Sequence, residues 1–321
     1  MPGVIVGVVL GLAAWAAQAQ DAAADYPQKT IRIIVGFTPG GGPDITARYV
    51  AQKLTDSWKQ QVIVENRPGA GGTVAAGMVA RAAPDGYTLL SVSSAHAAAA
   101  AIYPKLPYGM AELAGITQTG TSKYVLVVAP SAGLKSLKDL LAAARASPGR
   151  LNFSSAGVGS GTHFAAEIFN AMAAIEVVHV PFKGIPEALG EALSGRVQFF
   201  MAPIANSVSH VKEGRLVGLG VSSPRRDALL PEVPTLDEAG VPGYESQLWF
   251  GLLTASAVPR PIIAKLGREI ARILSDEETR ARWAPIGIEP RPTTPEDFDR
   301  LLRNDTALFT RIARAANIKA D

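Results

Sequence analysis

Short β-rich apolar runs alternate along this chain with stretches whose apolar residues recur at helical spacing. Ile31–Val35, Val62–Glu65, Tyr87–Val92, Tyr124–Ala129 and Leu151–Ser155 read as strands, as do Val177–Pro181, Val197–Ala202, Leu216–Val221 and Trp249–Thr254. Between them Ile45–Leu54, Gly72–Ala82, Leu137–Ala146, Phe164–Met172 and Glu187–Ser194 read as helices. Pro261–Leu274 is a further helix, with proline in the first turn, where its missing N–H costs nothing. Helix-permissive alanines, Ala97–Ala101, follow the third strand. Single helices between short strands predict an α/β architecture built on parallel sheets with right-handed crossovers.

Two of the strand-to-helix joints are dense in small residues. After Ile31–Val35 come Gly40, Gly41 and Gly42, then Asp44 and the helical pattern. After Leu151–Ser155 come Gly157, Gly159, Ser160, Gly161 and Thr162, then His163 and a second helix. Glycine lets a backbone adopt positive φ and approach a ligand closely. A helix start leaves N–H groups unpaired and carries partial positive charge, so each joint is an anion site that needs no charged side chain. The pair suggests two similar lobes offering helix starts to one shared ligand.

Neither joint fits a nucleotide or a nucleophile. No Gly-Lys-Ser/Thr triplet closes a phosphate loop. The dinucleotide pattern fails because Thr162 stands where the third glycine belongs after Gly157 and Gly159. The hydrolase elbow fails because Val158 occupies its first glycine position around Ser160.

The 321 residues suit two domains, and 48% hydrophobic content is enough for two cores. A net charge of +3, with Lys and Arg scattered among Asp and Glu, lacks the basic stripe of a nucleic-acid binder. Val4–Ala17 is an almost unbroken apolar run followed by Ala17-Gln18-Ala19, an A-x-A signature. It reads as a cleavable signal peptide over residues 1–19, although no Lys or Arg precedes it. The expected address is the periplasm. The chain has no cysteine, which removes disulfides, thiol catalysis and cysteine-held metals. Its four histidines, His96, His163, His179 and His210, show no metal-ligand spacing. No metal and no cofactor are expected.

From Tyr26 onward the chain resembles the Bug family, the extracytoplasmic solute receptors of tripartite tricarboxylate transporters. The blocks that carry the resemblance are Gly36–Arg48, Val64–Gly72, Ala83–Leu89, Pro148–His163 with Val180–Gly184, and Leu230–Gly240 ahead of Trp249–Leu252. The resemblance implies the two-lobed type II periplasmic-binding-protein fold. Each lobe is then a mainly parallel sheet flanked by helices, with ligand in the interlobe cleft. It places the first lobe at 26–124, the second at 125–245 and the return to the first lobe at 246–321. The crossings fall near Thr121–Val125 and Tyr244–Trp249, and Trp249 reads as hinge packing.

The resemblance also implies a carboxylate held by first-lobe backbone groups, partly through water, at Phe37, Thr38, Gly40, Gly41, Asp44, Ala70 and Gly71. The second lobe offers Ser155, Gly159, Ser160, Thr162 and His163. Asp44 either caps its helix or orients a bridging water or an ammonium group. His163 either donates to the anion or packs behind its loop. Lys183 either faces the cleft or is solvated, and Phe182 stands where the family usually has tyrosine. Ser94 and His96, at the end of the third strand, and Pro203, directly after the Val197–Ala202 strand, complete the set. A side chain added at Gly41 is expected to block the ligand's approach.

The expected function is that of a monomeric receptor that delivers a small carboxylate to the membrane subunits of such a transporter and performs no catalysis. A sensor-linked binding protein is the alternative. A serine hydrolase using Ser160 or Ser94 would need a Ser–His–acid arrangement that no motif supplies.

Overall fold

The structure, a computed structural model, describes residues 23–103, 105–315 and 318–319, so the signal-peptide reading lies outside the described residues. In chain order the first elements are β1 (Ile31–Val35), α1 (Gly42–Trp58), β2 (Val62–Asn66), α2 (Thr73–Ala80), β3 (Thr88–Ser93) and α3 (Ala95–Ile102). The long β4 (Leu113–Val128) leads to α4 (Leu137–Ala146), β5 (Asn152–Ser155), α5 (Gly161–Ala173), β6 (Val178–Pro181) and α6 (Ile185–Leu193). Then follow β7 (Phe199–Pro203), α7 (Ile204–Lys212), β8 (Val217–Val221) and β9 (Gln247–Ala255). The chain closes with α8 (Arg260–Ser275), α9 (Glu277–Trp283), β10 (Ile288–Pro290) and α10 (Pro295–Ala315).

The main strand order is β2-β1-β3-β9-β4-β7-β5-β6. Two parallel units lie at its ends: β2, β1 and β3 in one lobe, and β7, β5 and β6 in the other. Helices α1 and α5 follow their strands as βαβ crossovers require. The strands between the units, β9 and β4, run antiparallel to their neighbours, as β8 and β10 do to β4. Parallel pairing therefore belongs to the outer units, whereas the crossing strands oppose them.

β4 is the strand common to both halves. It pairs with β9 as far as Lys123 and with β7 from Tyr124 onward, so it changes partners between these two residues. The sequence pattern marks only its apolar second half. Its first half carries Thr117, Gln118, Thr119, Thr121 and Ser122, all buried. Thr117 is held there by a hydrogen bond from its hydroxyl to the Thr293 carbonyl, 2.9 Å. Buried polar residues that find such partners lose little by leaving water, and the hydrophobic alternation that marks a strand is absent.

The C-terminal helix α10 covers the first-lobe face of β9. Phe298 on α10 is fully buried and its ring lies directly over Gly251, where a Cβ would overlap it. The ring also meets Trp249 edge-on, with centroids 5.5 Å apart. The Trp249 indole N–H donates to Asp305 of α10 at 2.5 Å, so this residue packs beneath α10 near the crossing. Phe298→Ala should cost about 3–5 kcal/mol of stability, measured by urea unfolding of the purified protein. A loss below about 1 kcal/mol would show that α10 does not seal this core.

Candidate ligand cleft

The carboxyl ends of β1, β3, β5 and β7 open onto one small cavity of about 30 Å³ between the lobes. Phe37, Thr38, Gly41 and Pro43 line it from the first joint, and Ser93 from the end of β3. Ala156, Ser160, Gly161 and Thr162 line it from the second joint, with Ile185 and Pro203 beside them. The crossing strands add Tyr124, Leu248 and Phe250. None of these residues carries a charged side chain.

Four helix starts meet here. Gly42 opens α1, Gly161 opens α5, Ile185 opens α6, and Pro203 is the residue before α7. Each helix start carries roughly half a positive elementary charge on its unpaired N–H groups. The cavity is thus electropositive by main-chain dipoles alone, with walls of Phe37, Ile185, Leu248 and Phe250 for an apolar body.

Glycine is demanded at two of these starts. A Cβ at Gly42 would overlap the Phe250 ring, and one at Gly161 would lie 2.5 Å from the Tyr124 hydroxyl. Gly41 itself lines the cavity; its φ is −79°, and an added Cβ would stand 3.6 Å from Ile185 across it.

Asp44 faces away from the cavity. One carboxylate oxygen accepts the Gly40 N–H and Arg48 Nε, each at 3.0 Å, and the other accepts Asn66 Nδ2 at 2.9 Å. Arg48 also reaches that second oxygen, at 2.9 Å. Asn66 in turn donates to the Phe37 carbonyl, 3.0 Å. Burial opposes ionisation of Asp44, but Arg48, the Gly40 N–H and Asn66 outweigh it and hold the carboxyl below the usual range. Asp44 therefore braces the loop from behind. Gly40 is occupied in the same way, by Asp44 on its N–H and by Asn206 Nδ2 on its carbonyl at 2.7 Å.

In the second joint, Ser160 Oγ caps α5 by accepting the His163 N–H at 3.2 Å. Thr162 Oγ1 accepts the Ala156 N–H at 2.9 Å, and the two hydroxyls lie 2.9 Å apart. The pair owns two hydroxyl protons and uses one between themselves. Whichever hydroxyl donates, the other keeps a proton for an acceptor in the cavity.

The remaining expected residues divide by position. Ala70, Gly71 and Lys183 lie with Phe182 and Tyr103 around a wider opening that shares Phe37 with the cavity, and Lys183 is exposed on its rim. Ser94 Oγ sits beside the Tyr124 hydroxyl above Gly161. His96 lies behind Phe37 in a small pocket with Ser91, Ser93 and Tyr108. Its Nδ1 is 3.3 Å from the Tyr108 hydroxyl, and burial pushes its pKa down to about 4. His163 packs behind its loop. Its Nδ1 accepts the Gly159 N–H at 3.1 Å, which removes both groups from the cavity.

Ser155 is fully buried, and its Oγ is 2.6 Å from His179 Nε2. The same hydroxyl accepts the Gly157 N–H at 3.1 Å, so this Ser–His contact belongs to the loop's own bracing. Neither Ser160 nor Ser94 has an imidazole partner in the structure's hydrogen bonds. Among the described residues no cluster of three or more His, Asp or Glu could hold a metal ion.

Sequence reasoning missed Pro43, Ser93, Tyr124, Ala156, Gly161, Ile185, Leu248 and Phe250. Leu248 and Phe250 carry a signal, since alternate residues of one strand share a face. Tyr124 carries none beyond its place at the expected crossing.

Asp44→Asn would replace one acceptor oxygen by an amide N–H donor, facing the donors that Gly40, Arg48 and Asn66 already supply. It should cost about 1–3 kcal/mol at neutral pH, read from urea unfolding. Because the folded-state pKa lies below the unfolded value of about 3.9, the Asp44 contribution is present above that pH. It is lost as pH falls through the lowered value. The gap between wild type and Asp44→Asn should therefore close in acid. A pH-independent gap would contradict the ionised brace.

The tripartite tricarboxylate transporter family receptor model, TctC, matches residues 46–318. Protein BugT of Bordetella pertussis (strain Tohama I) is 31% identical over 98% of this chain and 97% of its own length. Among solved structures, Rpa4515 of R. palustris with adipate superposes with a TM-score of 0.88 at 30% identity, covering 92% of this chain and 99% of that one. MatC from Rhodopseudomonas palustris with bound malate gives a TM-score of 0.84 at 30% identity, covering 89% of this chain and 99% of that one. The fold is thus the two-lobed α/β architecture of periplasmic binding proteins. This chain belongs to the tripartite tricarboxylate transporter receptor family, a family of periplasmic solute receptors.

Proposed function

We propose that this protein captures one small carboxylate between its lobes in the periplasm and presents the closed form to the membrane subunits of a tripartite tricarboxylate-type transporter. The observation that carries the reading is the cavity itself. Four helix starts and a spare hydroxyl proton from Ser160 or Thr162 surround a space without any charged side chain. Such a site favours an anion, and its apolar walls favour an acid with a short hydrocarbon body. The relatives solved with adipate and with malate support the same ligand class.

The lobes divide where β4 changes partners, giving 26–124 and 246–321 to the first and 125–245 to the second. Contacts across the cleft support ligand-driven closure. Asn206 on α7 donates to the Gly40 carbonyl at 2.7 Å, and Thr38 meets Glu187 of α6 at 3.4 Å. A ligand touching both joints adds contacts that exist only when the lobes meet, and so selects the closed state. Export through the leader, action as a monomer, and the absence of turnover, metal and cofactor complete the proposal. Among the described residues no helix is long and apolar enough to cross a membrane.

Native mass spectrometry of the purified protein, followed by thermal shifts with mono-, di- and tricarboxylates, tests the reading. One acid per chain and micromolar affinity, about −8 kcal/mol, are expected. Stabilisation by sugars or cations with none from any acid would overturn it. Gly161→Ala, whose methyl meets the Tyr124 hydroxyl, should weaken binding by about tenfold or more, the loss of one good contact. Gly41→Val, whose side chain stands at the cavity wall, should abolish binding while the urea-unfolding midpoint stays near that of wild type. Wild-type-like binding by Gly41→Val would place the ligand elsewhere.

A further inference from the structure

We propose that His179 is a positioning residue for the second-lobe ligand joint, acting through Ser155 and His163; this rests on the carboxylate-binding reading of the cleft. His179 sits on β6 opposite Phe153 of β5. Its ring stacks on Phe153 at 4.9 Å and on His163 at 3.9 Å, the two imidazoles only 9° from parallel. Its Nε2 contacts Ser155 Oγ at 2.6 Å, and Ser155 Oγ accepts the Gly157 N–H. His163 Nδ1 accepts the Gly159 N–H. Of the two backbone N–H groups that flank Val158, His163 holds that of Gly159 directly, and His179 stands behind Ser155, which holds that of Gly157.

Those two glycines are the ones that need holding. Gly157 has φ +113° and Gly159 has φ +79°, and a glycine segment loses much freedom when it is fixed in one such conformation. Ser160, Gly161 and Thr162, which line the cavity, follow directly. A joint already fixed before ligand arrives has less freedom to lose on binding. His179 itself does not line the cavity.

The clamp works only with neutral rings. His163 can accept from Gly159 only while its Nδ1 is unprotonated, and a second positive charge on a ring stacked at 3.9 Å is unfavourable. The groups facing His179 are Phe153 and Ser155 from β5 and His163 from α5, with Glu167 3.6 Å beyond on the far nitrogen of His163. Burial, and then the repulsion that two protonated rings stacked together would suffer, push the His179 pKa down to about 3. A histidine lowered in the folded state stabilises fully above its ordinary value of about 6.5. That contribution is lost as pH falls toward the lowered value. The joint is thus set at neutral pH and loosened in acid.

The test compares wild type, His179→Phe and His179→Gln. His179→Phe keeps the stacking but loses the contact to Ser155; His179→Gln keeps a polar nitrogen for Ser155. Adipate binding is measured by calorimetry from about pH 7.5 to pH 5, the range in which an ordinary histidine titrates. Amide exchange at Gly157 and Gly159 is measured without ligand. His179→Phe should exchange faster at both glycines and bind adipate about tenfold more weakly at neutral pH. Its melting temperature without ligand should stay close to that of wild type. His179→Gln should recover most of the affinity. The wild-type to His179→Gln affinity ratio, in which protonation of adipate cancels, should fall as pH falls. Unchanged exchange and affinity in His179→Phe would overturn the proposal. So would a pH-independent ratio, or a loss of affinity that merely tracks a lower melting temperature. If wild type fails to bind adipate at neutral pH while the exchange rates change as expected, the positioning role stands and the choice of acid is what fails.

Discussion

Four helix starts from two lobes converge on one cavity, and the proposed capture of an anion depends on that convergence. With no charged side chain on the cavity wall, an anion gains little from any single partner. The helix-start charge acts only within about a turn of the terminus. Four such starts must therefore stand together, and the fold brings them there by placing the carboxyl ends of β1, β5, β6 and β7 at the cleft. The shared strand β4 fixes one lobe against the other, and Tyr124, at its change of partner, puts its buried hydroxyl at the meeting place.

The two joints solve the same problem with different chemistry. Glycine-rich backbone can approach a ligand, but it needs support to hold one conformation. In the first lobe a buried carboxylate, Asp44, ties Gly40, Arg48 and Asn66 together from behind. In the second, His163 and Ser155 accept the N–H groups of Gly159 and Gly157, and His179 backs both. The titratable groups nearest the cleft thus brace the loops that line it. That division explains how the sequence can hold conspicuous Ser, His and Asp residues in its most glycine-rich segments without forming a nucleophilic triad.

The outer βαβ units and both joints were legible in the sequence because their signals are local: β-rich runs, helical spacing and glycine clusters. Helix α4 was readable to its ends for the same reason. The first half of β4 was not, since its buried Thr and Gln residues lack apolar alternation and their partners, such as Thr293, lie far along the chain. Within the site, spacing located the loops but not the direction each group faces. Asp44, Gly159 and His163 turn inward because of hydrogen bonds that only the folded loop contains. Leu248, Phe250 and Ile185 reach the cavity through tertiary placement, which no local pattern encodes.

The most direct measurement is a titration of the amide-labelled protein with a carboxylate that stabilises it, following backbone N–H resonances. A carboxylate held by helix starts from both lobes should move the amide signals of Gly42, Gly161 and Thr162 together, at one common saturation, with the Lys183 backbone amide unaffected. Shifts confined to one lobe, or centred on Lys183 at the rim, would contradict binding by converging main-chain dipoles.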